Sequence, residues 1–308
     1  MSSRPRQPAS GTPAPGKLAL TELAEMKRRG EKIVMVTAYD APSARLADEA
    51  GVDLILVGDT AGMVLHGRPS TVRVSMDEMI FMTQWVTRGA RRPIVIGDLP
   101  FGAYQISDEN AVAASVRFLK EGGADVVKLE GAGAMLSRVR AIAEAGIGVM
   151  GHVGLTPQSA TVLGGFRAQG RTADKAARLL DEALALEDAG CFAVVLEAVP
   201  AAVAARVSER LSVPTIGIGA GPECDGQVLV WHDLLGLYEG QAPRFVKRYA
   251  DLAGEIRRAL ETFTADVRER RFPEDQHTYA MPDEELDAFE ARLGAAQEQR
   301  YEAHEHHR

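Results

Sequence analysis

This sequence has little cysteine, and it lacks long apolar runs and an excess of positive charge. Its two cysteines, Cys191 and Cys224, form no CxxC pair and cannot staple a domain of this size, which favours a reducing, cytoplasmic setting. No apolar run approaches the roughly 20 residues that cross a membrane. The formal net charge of -8 disfavours binding to nucleic acid or to an anionic membrane surface. We therefore expect neither nucleic acid nor membrane as a partner.

The chain is long and apolar enough for one large core. It has 308 residues, of which 46% are hydrophobic, and α/β barrels of about 250 residues commonly form a single domain. Residues 1–17 are rich in proline and small polar residues, and they predict a disordered arm. We predict one barrel domain with a C-terminal helix over residues 18–280, followed by a charged extension over 281–308.

Short apolar runs alternate with segments of helical periodicity along most of the chain. The strands are predicted at 33–39, 54–59, 93–98, 126–130, 148–152, 192–197, 214–218 and 227–233. The helices are predicted at 18–30, 42–51, 76–89, 109–122, 134–145, 173–189 and 201–210, with further helical periodicity over 244–270 and 283–300. Eight strands separated mostly by helices predict a (β/α)8 TIM barrel. An open doubly wound sheet is the alternative.

Five of the predicted strands end in side chains that are capable of chemistry. In a closed parallel barrel the carboxyl ends of all strands open onto one face, and catalytic residues lie on that face. The barrel would therefore bring residues that are far apart in sequence around one cavity, and an open sheet explains this pattern less well. The strand-end residues are Asp59, Asp98, Lys128 with Glu130, His152 and Glu197.

Asp59 and Asp98 are candidates for metal binding. Each follows a glycine at the end of an apolar strand, and two carboxylates suit Mg²⁺, which keeps several water ligands and leaves positions for a substrate. The alternative is that one or both cap the next helix or accept hydrogen bonds from loop amides.

The other strand-end residues could bind or deprotonate a substrate. Lys128 and Glu130 are two apart, so they face the same side of a strand; Lys128 could bind a carboxylate, and Glu130 could orient a metal-bound water. A structural ion pair is the alternative. His152 could donate to a substrate oxygen or be a structural histidine. Glu197 has apolar neighbours, which suits a general base, but it could instead pair with an arginine.

A glycine-rich loop, GIGAGPECDG, follows the seventh predicted strand. Loops at this position of a barrel often bind phosphate. The glycines could equally serve only to permit tight turns.

Several long motifs follow one another along the chain. They are VGDTAGMVLHG, DLPFGAYQ, VKLEGA, GHVGLTPQS, LGGFRAQGR, LEAVPA, IGIGAGPECDGQVLVWHD and FPEDQHTY. In sequence and in order they resemble those of the ketopantoate hydroxymethyltransferase family, and the resemblance extends from about Lys32 to Tyr279. This chain departs from the family pattern at Thr60, where the family usually has serine; the hydroxyl group is kept there, so we expect little change.

The resemblance implies a role for each candidate residue. It implies a barrel of the phosphoenolpyruvate mutase/isocitrate lyase type, in which Asp59 and Asp98 hold Mg²⁺ and Glu130 acts on the metal through water. Glu197 would be the catalytic base. The substrate would be contacted by Gly58, Asp59, Thr60, Asp98, Lys128 and His152.

The resemblance also implies a reaction. The enzyme would transfer a hydroxymethyl group from 5,10-methylenetetrahydrofolate to α-ketoisovalerate through a Mg-stabilised enolate, giving ketopantoate for pantothenate biosynthesis. It would be a cytoplasmic homo-oligomer, a decamer in this family. We expect the folate near the loops after the fifth and seventh strands. The alternatives are a carbon–carbon lyase or mutase on the same barrel, which would not require folate, and a catalytically silent binding protein.

Overall fold

The computed structural model describes residues 16–162, 164–165, 167–238, 240 and 243–305. Eight parallel strands form a closed barrel in sequence order, and the eighth strand pairs with the first. The prediction of a (β/α)8 barrel is confirmed. The strands are β1 (Ile33–Thr37), β2 (Leu54–Val57), β3 (Ile94–Asp98), β4 (Val126–Lys128), β5 (Val149–Gly154), β6 (Cys191–Glu197), β7 (Thr215–Ile218) and β8 (Gly226–Leu229).

Helices alternate with the strands along most of the chain. Capping boxes start two of them, at Asp40 with Ser43 and at Ser75 with Glu78. The helices are α1 (Leu20–Arg29), α2 (Ala41–Glu49), α3 (Ala61–Val64), α4 (Met76–Gly89), α5 (Asp108–Arg117), α6 (Leu136–Glu144), α7 (Ala173–Asp188), α8 (Ala201–Arg210), α9 (Trp231–Leu234), α10 (Leu252–Arg268) and α11 (Asp283–Glu305). A π-helical turn, Phe118–Gly122, extends α5.

The strands bury apolar side chains on both of their faces. Because side chains alternate across a strand, β2 sends Leu54 and Leu56 to the barrel interior, and Ile55 and Val57 to the helices. Residues of α1 also pack against the interior layer. The interior layer of the strands includes Met35, Leu54, Leu56, Ile94, Ile96, Val126, Met150, Val195, Ile216 and Val228.

Three aspartates that immediately precede strands stabilise the amino-terminal end of the barrel. Asp53 accepts from the amide of Val34 at 2.9 Å, and Asp125 accepts from that of Val95 at 2.7 Å. Asp225 accepts from the Thr215 amide at 2.8 Å. These carboxylates satisfy strand amides at the edge of the barrel, so they have a structural role that separates them from the aspartates at the opposite end.

The close packing of Phe118 against β3 requires glycine at position 97. A Cβ atom on Gly97 would lie 2.2 Å from Cδ1 of Phe118, which is fully buried. Overpacking of this kind costs about 1–3 kcal/mol. We expect Gly97→Ala to lower the melting temperature by about 4 °C or more, measured by circular dichroism. Gly294→Ala, in α11 with open space around it, is the control and should cause no loss; equal melting temperatures would contradict this packing.

Two of the predicted elements are wrong in extent. The strand predicted over 227–233 ends at Leu229, because the Trp231 amide donates to the Thr37 hydroxyl at 2.9 Å and the chain turns into α9. The helical periodicity of 244–270 begins to form helix only at Leu252. The preceding residues are held by backbone bonds to α9, such as Tyr249 N to Leu234 O at 2.8 Å.

The chain divides into two compact units, residues 1–252 and 253–308. In the second unit, Phe272 contacts both Phe263 and His277. The predicted arm over 1–17 lies almost entirely outside the described residues, and the predicted boundary at 280 stays a prediction. Within the described ranges, no helix is long and apolar enough to cross a membrane.

Candidate active site

Most of the strand-end residues face the barrel interior. On each strand they continue the row of alternate residues that points inward. On a strand every second residue shares a face, so the row that begins with apolar residues ends in the polar ones. Asp59 is the exception, because it follows Gly58 where the chain leaves β2. The rows are Ile94–Ile96–Asp98, Val126–Lys128–Glu130, Met150–His152 and Ala193–Val195–Glu197.

These rows converge on a small cavity of about 50 Å³ at the carboxyl end of the barrel. Gly58 is not part of its lining. Gly58 packs close to Thr60, because a Cβ atom built on Gly58 would lie 3.0 Å from Thr60 Oγ1. The other candidate residues are all brought together here. The polar lining residues are Thr37, Asp59, Thr60, Asp98, Lys128, Glu130, His152 and Glu197.

Lys128 forms a buried ion pair with Asp98. Its Nζ lies 2.6 Å from Asp98 Oδ1 and 3.9 Å from Glu130 Oε1. Burial alone would lower the pKa of Lys128, but the carboxylates of Asp98, Glu130 and Asp59 outweigh burial and raise it. The lysine is therefore charged, and the ion-pair alternative describes its present contacts.

The two aspartates lie side by side. The Asp59 amide donates to Asp98 Oδ2 at 3.2 Å, so Asp98 does accept from a loop amide. Burial, followed by the neighbouring carboxylates Asp98 and Glu130, raises the pKa of Asp59 well above its usual value. Burial also raises the pKa of Asp98, although Lys128 opposes it. Burial is the main cause for both acids, so a cation bound beside them would stabilise their ionised forms.

His152 lies between two glutamates. Its Nδ1 is 3.6 Å from Glu130 Oε1, and its Nε2 is 3.3 Å from Glu197 Oε2. Neither approach has hydrogen-bond geometry, and both ring nitrogens are buried without a partner in the described part of the chain. Burial opposes the charged ring, but Glu130 and Glu197 raise the pKa of His152 to about 9. Glu197 is paired with this histidine, and no arginine pairs with it among the described residues.

Gln158 joins the carboxylates, and the sequence reasoning gave it no role. Its side-chain Nε2 donates to Asp59 Oδ2 and to Leu99 O, both at 2.9 Å. Its backbone amide donates to Glu130 Oε2 at 3.0 Å, and its Oε1 accepts from the Tyr104 hydroxyl at 2.7 Å. Both residues lie in motifs that carry the family resemblance, which was the signal available.

The donor set fits Mg²⁺. Among the described residues, no cluster of three or more His, Cys, Asp or Glu side chains is arranged to enclose a metal ion. Mg²⁺ needs no such cage, because it binds proteins through one or two carboxylates and completes its shell with water and substrate oxygens. Asp59 and Asp98 supply two hard oxygen donors, and a divalent cation would stabilise the ionised form of these two buried carboxylates.

A second, larger cavity of about 620 Å³ adjoins the first. It is lined by residues of the loop after β5, by the ends of β6 and β7, and by the segment after β8. Both cavities are lined by Thr60, Pro157, Glu197, Ile218 and Val230. Glu197 therefore lies on the wall that the two cavities share.

A closed parallel barrel with acidic, lysine and histidine side chains at its carboxyl face defines an enzyme of the (β/α)8 class. Within that class, residues 17–275 match the ketopantoate hydroxymethyltransferase family. The chain belongs to this family, and the resemblance seen in its motifs is confirmed.

Relatives of similar length support this membership. The chain is 56% identical over 263 residues to the 3-methyl-2-oxobutanoate hydroxymethyltransferase of Moorella thermoacetica, covering 85% of this chain and 98% of that one. It is 52% identical over 271 residues to that of Carboxydothermus hydrogenoformans, covering 88% and 98%. A relative from Arabidopsis thaliana, named 3-methyl-2-oxobutanoate hydroxymethyltransferase 1, mitochondrial, is 49% identical over 304 residues, covering 95% and 88%.

Solved structures support the fold. Phosphonopyruvate hydrolase in complex with oxalate and Mg++ aligns with a TM-score of 0.55 at 15% identity, covering 92% of this chain and 98% of that one. The 2,3-dimethylmalate lyase, a PEP mutase/isocitrate lyase superfamily member, aligns with a TM-score of 0.55 at 16% identity, covering 91% and 99%. These likenesses support the barrel fold, and the second neighbour belongs to the superfamily after which the predicted barrel type is named.

Proposed function

We propose that this enzyme transfers a hydroxymethyl group from 5,10-methylenetetrahydrofolate to α-ketoisovalerate (3-methyl-2-oxobutanoate), giving ketopantoate in pantothenate biosynthesis. The supporting observation is the position of Glu197 on the wall between a small polar cavity and a large one. That arrangement suits a reaction in which an acid is deprotonated in one compartment and attacks a second substrate held in the other. Family membership supports the same reaction.

Asp59 and Asp98 would hold Mg²⁺, with Glu130 acting on the metal through water. When bound, Mg²⁺ supplies Lewis-acid stabilisation of the negative charge that develops on the 2-oxo acid. Lys128 is charged and already fixed by Asp98, so its ammonium group can attract the substrate carboxylate without reorganising. Thr60 lines the small cavity on this side, and Gly58, which is not among the lining residues, is kept as a proposed substrate contact through its backbone.

Glu197 would remove the proton from C3 of α-ketoisovalerate. The charged ring of His152, 3.3 Å from Glu197 Oε2, holds the carboxylate toward the small cavity. The methylene carbon of the folate would lose both of its bonds to nitrogen and gain one bond to C3 and one to a hydroxyl group from water. The proton taken from C3 and the second proton of that water would end on the two folate nitrogens, N5 and N10. The products are ketopantoate and tetrahydrofolate, so the atoms balance.

Gln158 would be a positioning residue for the metal site, because it donates to Asp59 and its backbone amide donates to Glu130. Removing an outer partner of a metal ligand typically weakens metal binding about 10–100-fold. We expect Gln158→Leu to weaken Mg²⁺ binding by that factor in isothermal titration. Gln169→Leu, on the same loop, removes a side chain whose one hydrogen bond among the described residues goes to the Arg167 carbonyl, and it should change Mg²⁺ affinity less than twofold; equal affinities in both variants would contradict the assignment.

We further propose a homo-oligomer, a decamer by family resemblance, in a cytoplasmic setting. An exposed apolar stripe on α10, formed by Ile256, Leu260, Phe263 and Val267, supports an assembly, because exposed apolar patches mark contact surfaces. Light scattering after gel filtration would give the mass, and a monomer at micromolar concentration would overturn this proposal.

Product formation tests the proposed reaction. The full-length protein is incubated with α-ketoisovalerate, 5,10-methylenetetrahydrofolate and Mg²⁺, and ketopantoate is followed by liquid chromatography with mass detection. We expect ketopantoate and tetrahydrofolate in equal amounts, and none when any one component is omitted or EDTA is added. Absence of ketopantoate from the complete mixture would overturn the proposal.

A further inference from the structure

The larger cavity has the size and lining of a site for an extended organic ligand. Its volume of about 620 Å³ falls within the range of roughly 300–1,000 Å³ that is typical of small-molecule sites. Much of its wall is apolar or aromatic, formed by Met63, Val64, Leu155, Ile218, Tyr238 and Phe245. The small cavity is more than ten times smaller, so the two compartments are suited to ligands of very different size.

Asp233 and Glu197 are the acidic side chains among the described residues that line this cavity. Asp233 follows β8 in helix α9 and is half-buried. Its carboxylate has no hydrogen bond or ion pair with any other described residue, and Arg248 acts on it only at longer range. A carboxylate accepts hydrogen bonds only, so it is free to receive a pair of donors from a ligand.

Two arginines give the cavity a positive side. Arg167, in the loop after β5, and Arg244, after β8, both line it and both are exposed. Their guanidinium groups make no hydrogen bond to other described residues. Guanidinium groups bind carboxylates in a two-pronged geometry, so these side chains suit a ligand with carboxylates at one end.

The segment after β8 is fixed against the barrel at this point. Gly219, in the loop after β7, has φ +64°, and a Cβ there would lie 2.5 Å from Cδ1 of Phe245. Likewise a Cβ on Gly221 would lie 2.4 Å from the Cβ of Ala201. The glycines of this loop therefore allow close packing, which supports the turn interpretation, and they seat an aromatic ring in the cavity wall.

We propose that this cavity binds the folate co-substrate, with Asp233 pairing with the pyrimidine edge of the pterin and Arg167 or Arg244 pairing with the glutamate carboxylates. This inference rests on the proposed function. The pterin edge presents N3–H and 2-amino N–H donors side by side, which is the pattern that a guanidinium offers to a carboxylate. The apolar and aromatic wall suits the aminobenzoyl ring, and Glu197 lies at the boundary where the one-carbon unit must meet C3.

The test measures folate affinity separately from keto-acid affinity. The probe is 5-formyltetrahydrofolate, a stable reduced folate, titrated into the full-length protein in the presence of Mg²⁺ and α-ketoisovalerate. Asp233→Asn replaces one acceptor oxygen by an amide donor that faces the pterin donors. We therefore expect the dissociation constant of 5-formyltetrahydrofolate to rise about 10-fold or more. Asp188→Asn, exposed on α7 and outside the cavity, is the matched control and should leave it unchanged.

A second variant and a ligand pair keep the test decisive. Ala168→Trp, which fills the cavity from an exposed loop position, should abolish folate binding while the affinity for α-ketoisovalerate changes less than twofold. Wild-type protein should prefer tetrahydrofolate to tetrahydropteroate, which lacks glutamate, and the Arg167→Ala, Arg244→Ala double variant should lose that preference.

The outcomes separate this inference from the proposed function. If ketopantoate forms and the Asp233 and Ala168 variants bind the folate as the wild type does, the location is wrong and the reaction stands. If no ketopantoate forms and no reduced folate binds, the reaction and the location are both wrong. Loss of folate binding in these variants with keto-acid binding retained supports the site.

Discussion

Glu197→Gln is expected to lower the exchange of the C3 proton of α-ketoisovalerate by about 10²–10⁴-fold, the usual contribution of a positioned general base. Glutamine keeps the shape of the side chain but cannot accept the proton. Substrate binding should persist, because Asp59, Asp98 and Lys128 are untouched. Exchange is followed by proton NMR in D₂O with Mg²⁺ present.

The matched control is Glu182→Gln. Glu182 lies on α7, is also partly buried, and is not part of either cavity lining. The Glu182→Gln variant should exchange the C3 proton at the wild-type rate. Normal exchange in Glu197→Gln would exclude Glu197 as the base, and loss of keto-acid binding in that variant would make it a binding residue instead.

Asp98→Asn is expected to reduce Mg²⁺-dependent exchange by about 100-fold or more, because Lewis-acid stabilisation is worth several kcal/mol and each 1.36 kcal/mol is tenfold in rate. The change removes a carboxylate whose pKa is raised by burial. It also removes the 2.6 Å partner of Lys128. Mg²⁺ affinity by isothermal titration and melting temperature are measured together.

The two interpretations of Asp98 predict opposite results. If Asp98 is a metal ligand, Asp98→Asn loses Mg²⁺ affinity and keeps its fold. If Asp98 serves only as the partner of Lys128, Asp98→Asn loses stability and keeps its Mg²⁺ affinity. The expected loss of stability is large, because breaking a buried ion pair costs about 3–5 kcal/mol. Asp125→Asn is the control: Asp125 lies at the other end of the barrel, just before β4, where it accepts from the Val95 amide, and the variant should retain both metal binding and exchange.

The fold was predictable because each strand is a short apolar run that buries both faces, and most helices show helical periodicity in their sequence. Strand ends agree with the structure to within about two residues except at β8, where the apolar run VLVWHD reads as a continuous strand. Its second half is helical because of one tertiary contact, from the Trp231 amide to Thr37. The residues before α10 were mistaken for helix for the same kind of reason, since their backbone bonds go to α9.

The site was predictable where polarity interrupts an apolar row. Asp98, Glu130 and Glu197 stand out because period-two alternation places them inside the barrel. Gln158 did not stand out, because a neutral amide on a long loop breaks no pattern. The lining of the larger cavity by Asp233 and Phe245 also has no sequence signal, since it depends on how the segment after β8 folds back.

The proposed enolate mechanism is best tested by proton exchange at C3 of α-ketoisovalerate in D₂O, with and without Mg²⁺ and then with 5,10-methylenetetrahydrofolate added. We expect exchange only with Mg²⁺, followed by ketopantoate when the folate is added. Exchange without product would indicate a lyase or mutase acting on the same 2-oxo acid chemistry. No exchange and no product under any of these conditions would contradict the assignment of the site and favour a catalytically silent binding protein.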